Sequence, residues 1–415
     1  MAQGFLQVEV EDFFETSALV PRMSKLRTAF RPAAENDFEL EGMDIDAAYL
    51  NAPVEEELFI KLPPEFSPFS RDIPFVRRLG KSLYGLKQSS RNWNNTLDDA
   101  LGGIGLDRSR TNSCLYFSRD DRGETGLPVA VYVDDLVIAG RREKVDEFKH
   151  NISQRFRMKD LGSLSRVLGI EVRRDRPNGT ITISQGSYIR EVLKRYGFDE
   201  CRGVPCREKS ENFGTRVGRH TSEPTSFWTV LSGIGEGVQE SSRSRPDTAY
   251  AVHQAARGME DPCRKDFGTC KRIFRYRSTA PDLGIAFGGK SNGHGLEGFI
   301  DADWAEDFED QKSTTGYIFK LNGGAKRGCS RKQRLVTWSS TEEEYVAAGK
   351  AGKETAYPRG LLRSIGFECR VSMALFEDNN QLSTPVRGLV HTAGQSTSAC
   401  AGTEFETGFG KEYWR

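Results

Sequence analysis

No two of the eight cysteines stand at CxxC spacing, and the five histidines are nowhere at zinc-ligand intervals. These absences argue against a disulfide scaffold and a structural zinc, leaving reduced, structural thiols as the reading. No apolar run approaches the ~20 residues of a membrane-spanning helix. The opening stretch MAQGFLQVEVEDFFE carries acid early and lacks the basic-then-apolar order of a signal peptide, so an intracellular protein is expected, with no membrane partner. No internal repeat and no long low-complexity tract appears. Net charge is missing too, since 59 Lys and Arg balance 59 Asp and Glu.

That balance conceals an asymmetry. Residues 9–57 hold 13 acidic against 4 basic side chains, whereas residues 155–207 hold 12 basic against 6 acidic. The stretch CRKDFGTCKRIFRYR, residues 263–277, carries 6 basic residues and one acid, interleaved with Phe267, Phe274 and Tyr276. Such a segment suits a phosphate backbone, and it suits a solvated amphipathic helix equally well. With 415 residues, 37% of them hydrophobic and 28% charged, the chain is long enough for two or three domains with their own cores.

Texture divides the chain. Residues 1–200 alternate strand-like and helix-like segments. Residues 207–245 are rich in Gly, Ser and charge and read as a linker. PDTAYAVHQAARGM, from Pro246, has helical apolar spacing with proline in the first turn. A β-like block follows at 283–338, then a helix at about 341–365 and the short run VSMALFED; the last 25 residues show no periodicity.

Two aspartates interrupt the β-branched runs of LPVAVYVDDLVIAG, residues 127–140, which predicts a hairpin. Asp134 and Asp135 on their own fit a turn as readily as a catalytic pair. The common two-residue turn would want glycine at its second position, however, and none is there. Upstream, EGMDIDAAYLN places Asp44 and Asp46 on one face of a predicted strand. If that strand neighbours the hairpin, three carboxylates converge, and such a cluster repels itself unless cations occupy it. Two Mg²⁺ ions about 4 Å apart would do so, which points to phosphoryl transfer.

The segments DIDAAYLNAPVEEELFIKLPPEF, KSLYGLKQSSRNW, YVDDLVIAG, FRMKDLG and LGIEVRRDR occur in an order that resembles the reverse transcriptase of copia-type LTR retrotransposons. SRPDTAYAVHQAARGM and CKRIFRYRSTAPDLGIAFGG are similar to the connector that follows it, and DADWAEDFEDQKSTTGYIF and SSTEEEYVAAGKAGKE to the terminal ribonuclease H. The resemblance covers about residues 2–390. It implies an α+β multidomain fold, with a palm-and-fingers polymerase at 1–206, a linker and helical connector at 207–290, a ribonuclease H-like domain at 291–390 and a disordered or degenerate tail at 391–415.

The resemblance also implies roles. Asp44, Asp134 and Asp135 would be the polymerase carboxylates, holding Mg²⁺ with Mn²⁺ as an alternative. Tyr49 would be the aromatic gate under the incoming sugar, where the plainer reading is a core tyrosine. Gln88 would lie near the nucleotide, or else be an exposed helix residue. Leu168 and Gly169 would be the turn gripping the primer, or else a strand end. Lys159 would donate a proton to departing pyrophosphate, or else be a solvated lysine. Asp301 at a strand end, Glu344 at a helix start and Asp378 after ALFE would form a second, ribonuclease H metal site. Thr341-x-x-Glu344 is also a capping-box pattern, which accounts for that glutamate without catalysis. The implied partners are an RNA template, a DNA primer, an RNA–DNA hybrid and deoxynucleoside triphosphates.

Departures from the family support an alternative, a catalytically decayed remnant that at most binds nucleic acid. Family members carry a Lys/Arg-rich strand before the point where MAQGF stands, so a weaker grip on the triphosphate is expected. Residues 228–243 are glycine-interrupted where the family has an apolar helix. Pro358 falls inside the helix led by Glu344, where an interior proline costs about 3 kcal/mol and kinks the helix. After His391 the family's closing motif is not recognisable, and neither Glu404 nor Glu406 is assigned to it.

Overall fold

The computed structural model describes residues 4–8, 36–61, 76–110, 112–119, 125–204, 244–257, 264–289, 296–303, 311–321, 324–364, 374–377 and 405–407, with isolated positions 2, 13, 30, 33 and 34. The architecture is mixed α/β, with six α-helices and several sheets among the described residues. Two compact units form: Met1–Leu164 with Gly360–Phe367, and Ser165–Arg359 with Glu368–Arg415. No helix among the described residues is long and apolar enough to cross a membrane.

In the first unit the strands are β1 (Glu39–Ile45), β2 (Phe59–Lys61), β3 (Val76–Arg78), β4 (Asp107–Arg108), β5 (Leu115–Arg119), β6 (Thr125–Tyr132), β7 (Asp135–Gly140) and β8 (Met158–Ser163). Six of them make an antiparallel sheet in the order β4-β5-β6-β7-β1-β8, and β2 pairs with β3 apart from it. The helices are α1 (Ser89–Gly103) and α2 (Arg142–Ser153). Trp93, Leu97, Ala100 and Leu101 recur at helical spacing along α1, as do Val145, Phe148 and Ile152 along α2. Both stripes bury with Met43, Ile45, Val129, Val131, Leu136 and Ile138, which alternate along three neighbouring strands and so occupy one face of the sheet. The other face is left for the residues between them, among which are Asp44 and Asp135. Helix α1 stops at a Schellman turn: Gly105, at φ 86°, lets Leu106 N–H reach Leu101 O (3.1 Å) and its own N–H reach Gly102 O (3.0 Å).

The second unit holds two sheets. One, in the order β12-β11-β10-β9, joins β9 (Arg166–Val167), β10 (Ile170–Asp175), β11 (Thr180–Ser184) and β12 (Ile285–Gly288). The other, in the order β15-β14-β13-β16-β17, joins β13 (Leu296–Asp303), β14 (Thr314–Leu321), β15 (Gly324–Lys332), β16 (Ala374–Glu377) and β17 (Phe405–Thr407). In it the first three strands are antiparallel, whereas β16 runs parallel to β13 and β17 parallel to β16. The helices are α3 (Gly186–Arg195), α4 (Ala249–Arg257), α5 (Arg264–Thr279) and α6 (Ser340–Ser364).

Residues 264–279 form helix α5, which packs into the core of the second unit. Cys270, Ile273 and Phe274 pack with Ile189, Val192, Leu193, Val252 and Ala255, and Phe267 leans on the same core. Phe274 stacks on Tyr196 and meets Phe198, while the Tyr276 hydroxyl donates to Asp247 (2.8 Å). The aromatics face protein, so this is an amphipathic helix whose aromatic side chains serve the core.

Two local expectations are corrected. Strand β1 ends at Ile45, so Asp46 lies in the following turn and does not share a strand face with Asp44. Asp301 is inside β13, two residues short of its end at Asp303. Pro358 lies inside α6, as expected. Residues 228–243, Asp378 and Glu404 lie outside the described residues, as does the tail from 391 except for β17.

Candidate active site

The hairpin of β6 and β7 closes over two residues. Tyr132 pairs with Asp135, so the two loop residues are Val133 and Asp134 rather than the two aspartates. Val133 takes the left-handed conformation, φ 55°, at the position where a glycine would ordinarily sit. A β-branched residue in this region is strained, by an amount of order 1–3 kcal/mol, and something must hold it there. The holder is α1: buried Trp93 donates its indole Nε1–H to the Val133 carbonyl (2.6 Å) and packs edge-on against Phe156 at 5.3 Å.

The strand register then sets the carboxylates. Asp44 on β1 is the cross-strand partner of Asp135 on β7, and of Lys159 on β8 at its other side. Ile45 N–H donates to the Asp134 carbonyl (2.9 Å), tying the turn to β1. Like charges directly opposite each other across a ladder are destabilising. Burial, then repulsion from Asp134 and Asp46, holds the Asp44 carboxyl above its ordinary range, with Lys159 opposing. Burial, then Asp134 and Asp44, does the same to Asp135. The Tyr84 hydroxyl is pushed up too, by burial first and then by Asp134, Tyr49 and Asp44.

Tyr49 sits half-buried in a 3-10 turn, Ala48–Asn51, that follows β1. Its ring centroid lies 4.6 Å from that of Tyr84, and its hydroxyl shares a hydrogen bond with Ser90 Oγ (3.0 Å). Gln88, immediately before α1, is fully buried rather than exposed, and its Oε1 accepts from Gln7 Nε2 (3.0 Å). Lys159 is exposed on β8. Behind β1 a buried carboxylate, Glu41, is met by Arg142 (2.6 Å) and Lys149, and Lys149 also reaches Asp160 (2.7 Å). This network, buried at Glu41 and exposed at Arg142 and Asp160, fastens β1 to α2 and β8.

The family described as reverse transcriptase (RNA-dependent DNA polymerase) matches residues 1–207. The retrovirus-related Pol polyprotein from transposon TNT 1-94 of Nicotiana tabacum is 30% identical over 402 residues, 94% of this chain and 30% of that protein. The corresponding polyprotein from transposon RE1 of Arabidopsis thaliana is 32% identical over 382 residues, 91% of this chain and 25% of its own. The chain belongs to the copia-type reverse transcriptases. It spans under a third of the length of these two relatives.

The copia-type motifs are thus brought together in the first unit: the YVDD hairpin, the DID strand and the YGLKQSS stretch all contribute to one locality. Among the described residues no group of three or more His, Cys, Asp and Glu side chains is close-set enough to hold a metal ion. The three carboxylates are neighbours by register and by mutual repulsion, and sharing a cation requires their oxygens to converge further. Their chemistry suits one: they are hard oxygen donors, two of them held above their ordinary range by burial and by each other, which a divalent cation would relieve.

In the second unit Leu168 and Gly169 are the two loop residues of the β9–β10 hairpin, both left-handed at φ 50° and 75°. Asp301 is half-buried on β13, and Glu344 is buried as the fifth residue of α6. The capping box of α6 is not Thr341-x-x-Glu344, because the helix begins at Ser340. Glu342 N–H donates to Ser339 Oγ (3.1 Å), and Glu342 Oε2 accepts from the Trp338 N–H (2.8 Å). Tyr84, Trp93 and Glu41 were not singled out by sequence reasoning. Tyr84 and Trp93 lie in KSLYGLKQSSRNW, but nothing in one sequence separates them from ordinary core aromatics.

Proposed function

We propose that the chain carries the RNA-directed DNA polymerase of a retrotransposon, transferring deoxynucleotides to a DNA primer on an RNA template, with a ribonuclease H domain attached. The observation that carries the reading is the register of Asp44 against Asp135, with Asp134 in a strained turn between β6 and β7. Charge crowded at some cost to the fold is what a phosphoryl-transfer site requires. In this reading the six-stranded sheet is the palm, and α4 and α5 belong to the connector. The sheet of β13 to β17, with three antiparallel strands followed by two parallel ones, suits the ribonuclease H part.

Asp44, Asp134 and Asp135 would hold Mg²⁺, or Mn²⁺, and the bound ions would neutralise phosphate charge and activate the attacking oxygen. The chain's own residues do the rest. Trp93 holds the turn so that Asp134 keeps its place. Tyr49, pinned through Ser90 and backed by Tyr84, presents a fixed ring edge that excludes a 2′-hydroxyl. Gln88 acts as a positioning residue, anchoring Gln7 beside the Tyr84–Ser90 stretch. Lys159, partner of Asp44 in the ladder, is placed to return a proton to departing pyrophosphate. Leu168 and Gly169 form a rigid turn for the primer. Asp301, Glu344 and Asp378 are the proposed residues for cleaving the RNA strand of a hybrid.

Primer extension on a homopolymer RNA template with Mg²⁺ and deoxynucleotides, run beside the Asp134→Asn/Asp135→Asn double variant, tests this. Extension by the wild type alone is expected. If neither protein extends while both are folded and bind the duplex, the carboxylates are a relic and the chain is a nucleic-acid-binding remnant.

A further inference from the structure

The segment that joins β15 to α6 exposes apolar side chains that the fold does not use. Gln333 and Thr337 anchor it. Gln333 N–H donates to Ser313 O (2.8 Å), its Nε2 donates to Thr315 Oγ1 and to Glu343 O (3.1 Å each), and the Thr337 hydroxyl bonds Ser313 Oγ (3.2 Å). Between and beyond these buried anchors stand Leu335 at 66% exposure, Val336 at 48% and Trp338 at 92%. The Trp338 backbone is fixed by its bond to Glu342 Oε2, which the helix cap holds in turn. An almost wholly exposed indole on a pinned backbone is unusual in a soluble unit.

Basic side chains precede it in the chain, and acids follow it. Arg331 and Arg334 are exposed, Lys332 is half-exposed, and both arginines lie near enough to Lys350 to disfavour its charge, after burial as the first cause. Residues 331–338 hold no acid; of the three consecutive glutamates that follow in α6, Glu343 and Glu344 are buried and Glu342 is exposed, its carboxylate accepting from the Trp338 N–H. A cationic cluster next to an exposed aromatic suits a polyanion whose units carry flat rings.

We propose that residues 331–338 form a stacking platform for single-stranded nucleic acid. Trp338 takes an unpaired base on its face, Leu335 and Val336 extend the apolar surface, and Arg331, Arg334 and Lys350 receive the phosphates. A duplex keeps its bases inside the stack, so the indole finds a free face only at unpaired nucleotides. The proposal is independent of the aspartate hairpin.

The test is fluorescence anisotropy of labelled oligouridylate 12-mers with the full chain in EDTA, beside a 12-mer of the same backbone lacking bases. The wild type should bind the base-bearing strand more tightly, and Trp338→Ala should weaken that binding by about tenfold while leaving the base-free strand unaffected. Trp338→Phe should keep most of the affinity. Arg331→Gln/Arg334→Gln should weaken both strands and lower the salt slope by about 1.4. Equal binding of the two strands by the wild type, or unchanged binding by Trp338→Ala, overturns the proposal. So does a concentration-dependent dimer that Trp338→Ala abolishes without altering oligonucleotide binding. Because no metal is present, failure of the polymerase reading would leave the result standing.

Discussion

Replacing Trp93 by Phe removes one hydrogen-bond donor and part of one ring from the place where α1 grips the aspartate hairpin. The indole N–H lies 2.6 Å from the Val133 carbonyl, and the side chain is buried. Leaving that carbonyl without its donor costs about 1–3 kcal/mol. The lost ring atoms leave a cavity worth roughly another 1–2 kcal/mol. Against this, Val133 is held at φ 55°, and a turn released from its tether recovers some of the ~1–3 kcal/mol of strain there. The net expectation is a loss of about 2–3 kcal/mol. A double-mutant cycle isolates the strain, because glycine at 133 has none to release. Trp93→Phe should therefore cost about 1 kcal/mol more in a Val133→Gly background than in the wild type. Denaturant unfolding of the four proteins, with hydrogen exchange of the Ile45 amide reporting locally on the β1–Asp134 bond, provides the comparison. Additivity within about 0.3–0.5 kcal/mol would show that Trp93 does not hold the strained turn, and the positioning role given to it would fall.

Two further outcomes rest on the second unit. Leu168→Asn should raise the denaturant midpoint by the equivalent of about 1 kcal/mol, since the β9–β10 turn needs two left-handed residues and asparagine tolerates what leucine does not; a lower midpoint would mean that leucine packing outweighs the strain. Glu171 accepts the Ser187 N–H (2.8 Å) in the first turn of α3, and its bonds to Ser187 hold its carboxyl below the ordinary 4.5. A depressed carboxyl stabilises the fold above its unfolded value and stops doing so as pH falls through the folded one. Glu171→Gln should thus be less stable than wild type at pH 7 by about 1 kcal/mol, with the gap closing as pH falls below the ordinary carboxylate range. A gap that persists in acid would assign the loss to something other than charge.

Periodicity and motif order were enough to place the mixed α/β character, the hairpin at 127–140, the strand carrying Asp44 and the helix carrying Glu344, because each depends on neighbours in sequence. The capping residues of that helix were misread by two positions, since Ser339 and Thr341 are both followed three residues later by glutamate and only the helix start distinguishes them. Which residues form the hairpin turn was likewise beyond the sequence. Val133 has no local preference for a left-handed conformation, and it adopts one because the β6–β7 register and the Trp93 bond require it. The basic, aromatic stretch of α5 could have faced either solvent or core, and the presence of α3 and α4 beside it settled that question. By itself, then, the sequence determined the family and the local elements, through patterns that act over a few residues. Tertiary structure alone decided the pairing of Asp44 with Asp135, the burial of Gln88 and the exposure of Trp338, because each depends on packing between segments tens of residues apart.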